Sequence, residues 1–360
     1  MADILGLGLS HFPGPVVPVE HWPRMLERNM KVGRIPEPVF AAQSEWPGPM
    51  RDEWGDDDGL AAAHIHWRRL KAGFADLRRE LDAFAPDFVL IWGDDQYENF
   101  RLDCVPAFCV YIFDQIMTRP LKGAGRPFLT DQNAWGLPAD TEIPVTGHHQ
   151  AAHTLCSALL NERFDLAYAY ETKAPKGLAH SFSNTIIYLD HENAGRRFPY
   201  PVVPFHVNCY GNQLIKTAAR LEDGDPISPP APSPRRCFEI GQATARILAD
   251  SPWRVALIAS SSWSHASLTA KHDRLYPDIE ADRSRFNDLR EGRFADWGAL
   301  DLKQIEDAGQ NEILNWICLA GAMTELGQHV TTLDLVESYI FNSSKCFAVF
   351  PPTGEEARAR

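Results

Sequence analysis

Three short apolar runs each break off into polar, proton-handling side chains, and no other feature of this chain limits its fold as tightly. Val255-Ala-Leu-Ile-Ala runs into Ser260, Ser261, Ser262 and His265. Ile4-Leu-Gly-Leu-Gly-Leu ends in Ser10-His11, and Phe88-Val-Leu-Ile-Trp-Gly ends in Asp94-Asp95-Gln96. Short apolar runs of this kind read as buried strands. Ligands in open α/β sheets sit beyond the carboxyl ends of such strands. Three polar strand ends therefore point to one pocket. The fold class expected is α/β: a single large domain spanning 1–360, with a mixed central sheet flanked by helices.

Around these strands the pattern is that of an ordinary α/β chain. Leu70, Phe74, Leu77, Leu81 and Phe84 form one stripe of a helix over 61–85. Helices are also expected near 22–31, over 144–162 and over 236–250, and further strands over 104–113, 165–171 and 200–208. Residues 185–189 are apolar again, which puts His180 in a loop between strands. Gly6 and Gly8 suit a strand approached closely by its neighbours. Residues 16–60, rich in Pro, Trp and charge, read as a loop-rich insertion or lid, and 223–235 as a Pro/Ser-rich connector.

Composition excludes several classes of function. At 360 residues and 44% hydrophobic the chain can bury a large core. A formal charge of −13 argues against nucleic acid, whose phosphates need a basic face. No apolar run is long enough to span a bilayer. Seven cysteines without a C-x-x-C pair fit reduced thiols, and the start Met-Ala-Asp leads straight into a strand without a secretory signal. The expected location is cytoplasmic.

A buried acid completes the set. Residues 303–323 read as one helix in which Glu312 shares a stripe with Ala308, Trp316, Leu319, Ala320 and Met323. A carboxylate there needs a cation or a donor, either an arginine or a metal ion. Among the histidines, His64 and His66 diverge on their helix and read as surface or capping groups. His148, His149 and His153 lack a diagnostic spacing.

These residues resemble the class III extradiol ring-cleavage dioxygenases, the family of the protocatechuate 4,5-dioxygenase β subunit, over most of the chain. Gly-Leu-Ser-His11 resembles the family's N-terminal metal-binding Ser-His, and Ser-Ser-Trp-Ser-His265 its Gly-Gly-x-Ser-His. Ala308-Gly-Gln-Asn-Glu312-Ile-Leu-Asn-Trp316 through Gly321-Ala-Met323 resembles the helix that supplies the ligand glutamate. His180, in Ala-His-Ser, stands where the family has a second pocket histidine in Asp-His-Gly. One departure concerns the second histidine ligand. The family has Asn-Asp-His where this chain has Asp94-Asp95-Gln96, a pattern similar to that of members such as 3-O-methylgallate dioxygenase.

The resemblance implies Fe(II) held by His11 and Glu312, with Gln96 in the position of the third ligand. Asp95, His64, His66 and His206 are the alternatives for that place. It also implies an aromatic catechol- or gallate-type substrate cleaved by O₂, with His265 as acid/base and His180 hydrogen-bonding the bound oxygen species. Arg101, Arg119 and Lys173 are candidate partners for a substrate carboxylate. Either the 16–60 loops, a second protomer or a small helical partner subunit would roof the pocket, and a homo-oligomer is expected. Two rival readings use the same residues. In one, Asp94, Asp95, Glu312 and His11 form a metal-dependent hydrolase; in the other, the chain is a non-catalytic binding protein.

Overall fold

The computed structural model describes residues 2–101, 103–211 and 229–352. Ten strands fall in chain order as β1 (Ile4–Leu9), β2 (Phe88–Gly93), β3 (Phe108–Tyr111), β4 (Gln115–Thr118), β5 (Ile143–Thr146), β6 (Ala167–Ala169), β7 (Val202–Val207), β8 (Val255–Ser260), β9 (Thr332–Val336) and β10 (Lys345–Phe350). Eight of them form one sheet in the order β6-β3-β7-β2-β8-β1-β10-β9, and β4 pairs with β5 separately. The central four, β7, β2, β8 and β1, run parallel, while β3 and β10 join antiparallel on either side. The sheet is therefore mixed, as expected. Every residue of β1, β2 and β8 is buried, which is why their sequences are unbroken apolar runs.

Helices cover both faces. On one side lie α1 (His149–Asn161), α2 (Pro234–Ala249) and α3 (Ile313–Glu325), whose apolar residues share a core with Leu90, Trp92 and Leu257. On the other side α4 (Leu60–Phe84) and α5 (His180–Leu189) pack with Leu7, Val89 and Ile258. Alternate residues of each central strand point into opposite cores, as the pleat requires. Trp316 of α3 lies so close to β1 that a Cβ at Gly8 would sit 2.1 Å from its ring. Gly8 thus lets the helix that follows Glu312 press directly onto the strand that leads to His11.

Two expectations are corrected. Residues 303–323 are not one helix: a short helix, Leu302–Asp307, ends before Gly309, and α3 begins only at Ile313. Gly309 adopts φ +67, and a Cβ there would meet Thr269 and the His265 carbonyl, so this turn is tied to the His265 segment. The second correction concerns 185–189, which belong to helix α5 rather than to a strand. Nearly all of α5 is buried, so it shows no polar stripe and its sequence cannot be told from a short buried strand by periodicity. The strands expected over 104–113 and 165–171 shrink to four and three residues. Positions 223–228 of the expected connector lie outside the described residues, and within them no helix is long and apolar enough to cross a membrane.

Candidate metal centre and active site

Strands β2, β8 and β1 are neighbours and parallel, so their carboxyl ends open together. His11 follows β1, Asp94 follows β2, Ser260 ends β8, and Ser261 to His265 follow it. Glu312 comes in from the turn before α3, not from the middle of a helix. Ligand atoms of His11, Asp94 and Glu312 lie within 4.8 Å of one another, and all three residues are buried. His11 Nε2 is 3.3 Å from Glu312 Oε2 and 3.7 Å from Asp94 Oδ1.

The surroundings fix how these groups point. His11 Nδ1 lies 3.0 Å from the Ser260 carbonyl and 3.1 Å from Ser260 Oγ. Donation to the carbonyl selects the tautomer that leaves Nε2 free to face the two acids. Burial disfavours the His11 imidazolium, but the Glu312 carboxylate, its hydrogen bond and Asp94 outweigh that and lift His11 to about 9. Burial and repulsion from Glu312 push Asp94 up to about 7, against the pull of His11 and His180. Burial would raise Glu312 as well, but His265 and His11 hold it well below the usual carboxylate range.

Both Asp94 oxygens are buried without accepting a hydrogen bond, and Glu312 Oε2 has only the His11 ring nitrogen beside it, 3.3 Å away. Unsatisfied carboxylate oxygens this deep are costly, and a cation shared between them removes the cost. One imidazole nitrogen and two carboxylates are a donor set that a divalent ion fits.

Gln96 lies beside the centre and lines the same cavity. Its amide nitrogen donates to Glu312 Oε1 and to the Tyr210 hydroxyl, each at 3.0 Å, and Tyr210 in turn donates to Glu312 Oε1. Gln96 and Tyr210 thus orient the carboxylate, and the structure brings Asp94, two residues earlier, next to His11. Asp95 is occupied in the turn, accepting from the Glu98 and Asn99 amides. His64 is exposed, His66 packs among Trp22 and Phe341, and His206 lies against Phe100, none of them in the cluster.

His265 and His180 flank the centre. The Nδ1 of His265 is 2.8 Å from the Trp263 carbonyl, and its Nε2 is 3.5 Å from Glu312 Oε1. Burial pulls His265 below its ordinary value despite Glu312, so the ring is neutral at pH 7. His180 opens α5, its ring edge-on to His11 with centroids 5.0 Å apart. Glu98 holds it twice, pairing with Nδ1 and accepting from the backbone amide at 3.0 Å, and also pairs with Lys176. Burial alone would raise Glu98, but His180 and Lys176 together hold it below the usual range.

His11, Gln96, His180, Tyr210, His265 and Glu312 all line one cavity of about 590 Å³. Met25, Arg28, Asn29, Gly33 and Arg34 form one side of it, from within the 16–60 segment. The candidate carboxylate partners are elsewhere: Arg119 pairs with Glu142 and Lys173 with Asp103, and neither they nor Arg101 reaches the cavity. His148, His149 and His153 do not line it either. Tyr210 and the cavity arginines carry no sequence signal, since each is defined by a contact between distant segments.

Beneath the site, Asp282 ties the His265 segment to the Glu312 turn. Its Oδ1 accepts from the Ser264 amide at 2.9 Å and from Gln310 Nε2 at 2.7 Å. Burial pushes Asp282 up to about 7 from 3.8, against those hydrogen bonds. Between these two pH values the folded state keeps a proton that the unfolded state has lost, so stability falls as pH rises through the window. The Asp282→Asn variant lacks this titration. Urea unfolding across the window is expected to show the wild type losing stability relative to the variant as pH rises, and a constant difference between the two would refute the role.

Residues 227–349 match the family model of the catalytic LigB subunit of aromatic ring-opening dioxygenase, a stretch that includes His265 and Glu312. Among curated proteins, the chain is similar to enzymes named 2,3-dihydroxyphenylpropionate/2,3-dihydroxicinnamic acid 1,2-dioxygenase. That of Burkholderia vietnamiensis is 28% identical over 52% of this chain and 46% of its own length. Those of Paraburkholderia phymatum and Paraburkholderia xenovorans are 24% identical over 71% of this chain, and over 81% and 82% of their own lengths. In the first of these comparisons the chain spans about half the length of its relative. Strand-end histidine, turn glutamate and matched segment agree, and over 227–349 the chain is similar to the LigB family, the class III extradiol dioxygenases.

Proposed function

We propose that this chain cleaves the ring of a catechol- or gallate-type substrate with O₂, beside its two hydroxyls, using Fe(II) held by His11, Asp94 and Glu312. The observation that carries this reading is the buried group of Asp94 and Glu312 oxygens facing His11, with neutral His265 beside it. Fe(II) bound there would supply open positions for the two substrate oxygens and for O₂. The chain's own residues supply the rest. His265 presents an unprotonated Nε2 to the cavity, oriented by the Trp263 carbonyl, and takes a phenolic proton that it later returns. His180, steadied by Glu98, offers its Nε2 as hydrogen-bond partner to the reacting oxygens. Gln96 and Tyr210 keep Glu312 in one orientation while charge changes beside it.

Asp94 also favours a second reading. Two carboxylates and one imidazole make an oxygen-rich set that suits a harder divalent ion, as in a hydrolase that activates water. Oxygen uptake separates the two. Anaerobically purified protein reconstituted with Fe(II) is expected to consume O₂ with at least one of a panel of catechols, protocatechuate, gallates and dihydroxyphenylpropionate, giving a yellow ring-fission product. Tight iron binding with no uptake across the panel, together with hydrolysis of an ester panel, would replace the dioxygenase with the hydrolase.

A further inference from the structure

Three arginines share the cavity with the candidate centre and have no acidic partner among the described residues. Arg28 is half-buried near the end of the helix Arg24–Lys31, and Arg34 follows in the turn after Gly33. Arg274 reaches the same cavity from the other side of the sheet's end, out of a turn in which Asp273 and Arg274 both adopt positive φ, at 50 and 59. That turn is anchored to the active-site segment, since Arg274 donates its amide to the Thr269 carbonyl and Thr269 Oγ1 donates to the His265 carbonyl. Arg28 and Arg274 are each close enough to Arg34 to repel it. Partial desolvation lowers Arg34 although its side chain is exposed at the cavity mouth, and Arg28 and Arg274 lower it further, while Tyr210 is near enough to oppose them. Tyr210 also donates to Glu312, so the arginines lie within electrostatic reach of the centre's own hydrogen-bond network.

The chain is not short of acids. It carries 48 Asp and Glu against 35 Lys and Arg, and several of its arginines pair with them, as in Arg78 with Asp190 and Arg283 with Glu337. A cationic trio left unpaired at a cavity in an acidic protein is a site for an anion brought from outside. Local positive charge is also what an anionic substrate needs in order to approach a protein of net charge −13. The cavity, at about 590 Å³, has room for a substituent beyond a single ring.

We infer that Arg28, Arg34 and Arg274 bind a carboxylate carried by the substrate, so that the substrate class is a dihydroxylated arene with an anionic substituent directed to the cavity mouth. The identification of the arene rests on the ring-cleavage reading above, while the anion site rests on the arginines alone. Guanidinium forks match a carboxylate bidentately, which lysine at the same places would not.

The test compares 2,3-dihydroxyphenylpropionate with its primary amide. Calorimetry with the metal-free protein is expected to show the acid bound about 10- to 100-fold more tightly than the amide, as charge-assisted hydrogen bonds imply. The preference should shrink between low and high salt. It should vanish in the Arg28→Gln/Arg34→Gln/Arg274→Gln variant, whose fold is checked by its thermal transition. Equal affinity for acid and amide in the wild type, or a preference that survives the triple substitution, would overturn the inference. Oxygen uptake on the same pair then separates the two ideas. Preference in binding without uptake on either compound supports the anion site and counts against ring cleavage; uptake on both without preference does the reverse.

Discussion

His265→Gln is expected to lower turnover by about 10²–10⁴-fold, the range typical for loss of a positioned acid/base group, while metal content stays at the wild-type level. His265 Nε2 faces the cavity 3.5 Å from Glu312 Oε1, yet His265 is not one of the three residues whose ligand atoms converge within 4.8 Å. Its Nδ1 is engaged by the Trp263 carbonyl, so one nitrogen remains for proton transfer. Glutamine fills much of the same space and can keep a hydrogen bond to that carbonyl, but it does not accept a proton at neutral pH.

The loss should therefore fall on kcat more than on KM. The pH profile carries a second signature. Burial holds the imidazole below its ordinary value, so the wild-type rate should decline on the acid side as His265 becomes protonated. That limb is expected to disappear from the residual activity of the variant. Full turnover in His265→Gln, or loss of metal along with activity, would remove the residue from the acid/base role.

Why His265 was legible in the sequence and Tyr210 was not comes down to what a single chain displays. Strands β1, β2 and β8 are buried on both faces, so their apolar runs and abrupt polar ends stand out without any partner in view. His11, His265 and the Asp94-Asp95-Gln96 cluster follow from that local signal. In the sequence the Glu312 turn reads as mid-helix because the apolar stripe of α3 continues in register across Gly309, and only the contact with Thr269 and His265 explains the break. The α5 helix hid behind uniform burial, which erases the 3.6-residue period. Tyr210 and the three arginines belong to the site through packing between segments remote in sequence. No local pattern encodes such contacts.

The Asp94→Asn and Gln96→Ala variants decide which group completes the metal set, and they are expected to differ sharply. Gln96 donates to Glu312 through its amide nitrogen, as a partner that orients a ligand. Removing such a partner typically costs about 10–100-fold in metal affinity or activity. Asp94 has two buried oxygens with no hydrogen-bond donor, and one of them lies 3.7 Å from His11 Nε2. Asparagine at this position keeps the volume but loses the charge and one of the two oxygens, so its cost should exceed the Gln96→Ala loss by at least about tenfold.

Metal-free stability gives an independent reading of the same pair. Asp94 lies beside Glu312, and burial and that repulsion both oppose its charge, so neutralising it should leave the metal-free protein as stable as the wild type or more so. Adding the metal should then raise the melting temperature of the wild type much more than that of Asp94→Asn, because only the wild type gains the full binding energy on folding. A variant that loses affinity but gains metal-free stability is the signature of a carboxylate kept for a cation. If instead Gln96→Ala abolishes metal binding while Asp94→Asn retains it, the third donor is the Gln96 side chain, turned from the orientation in which it meets Tyr210, and Asp94 serves only to set the charge around it.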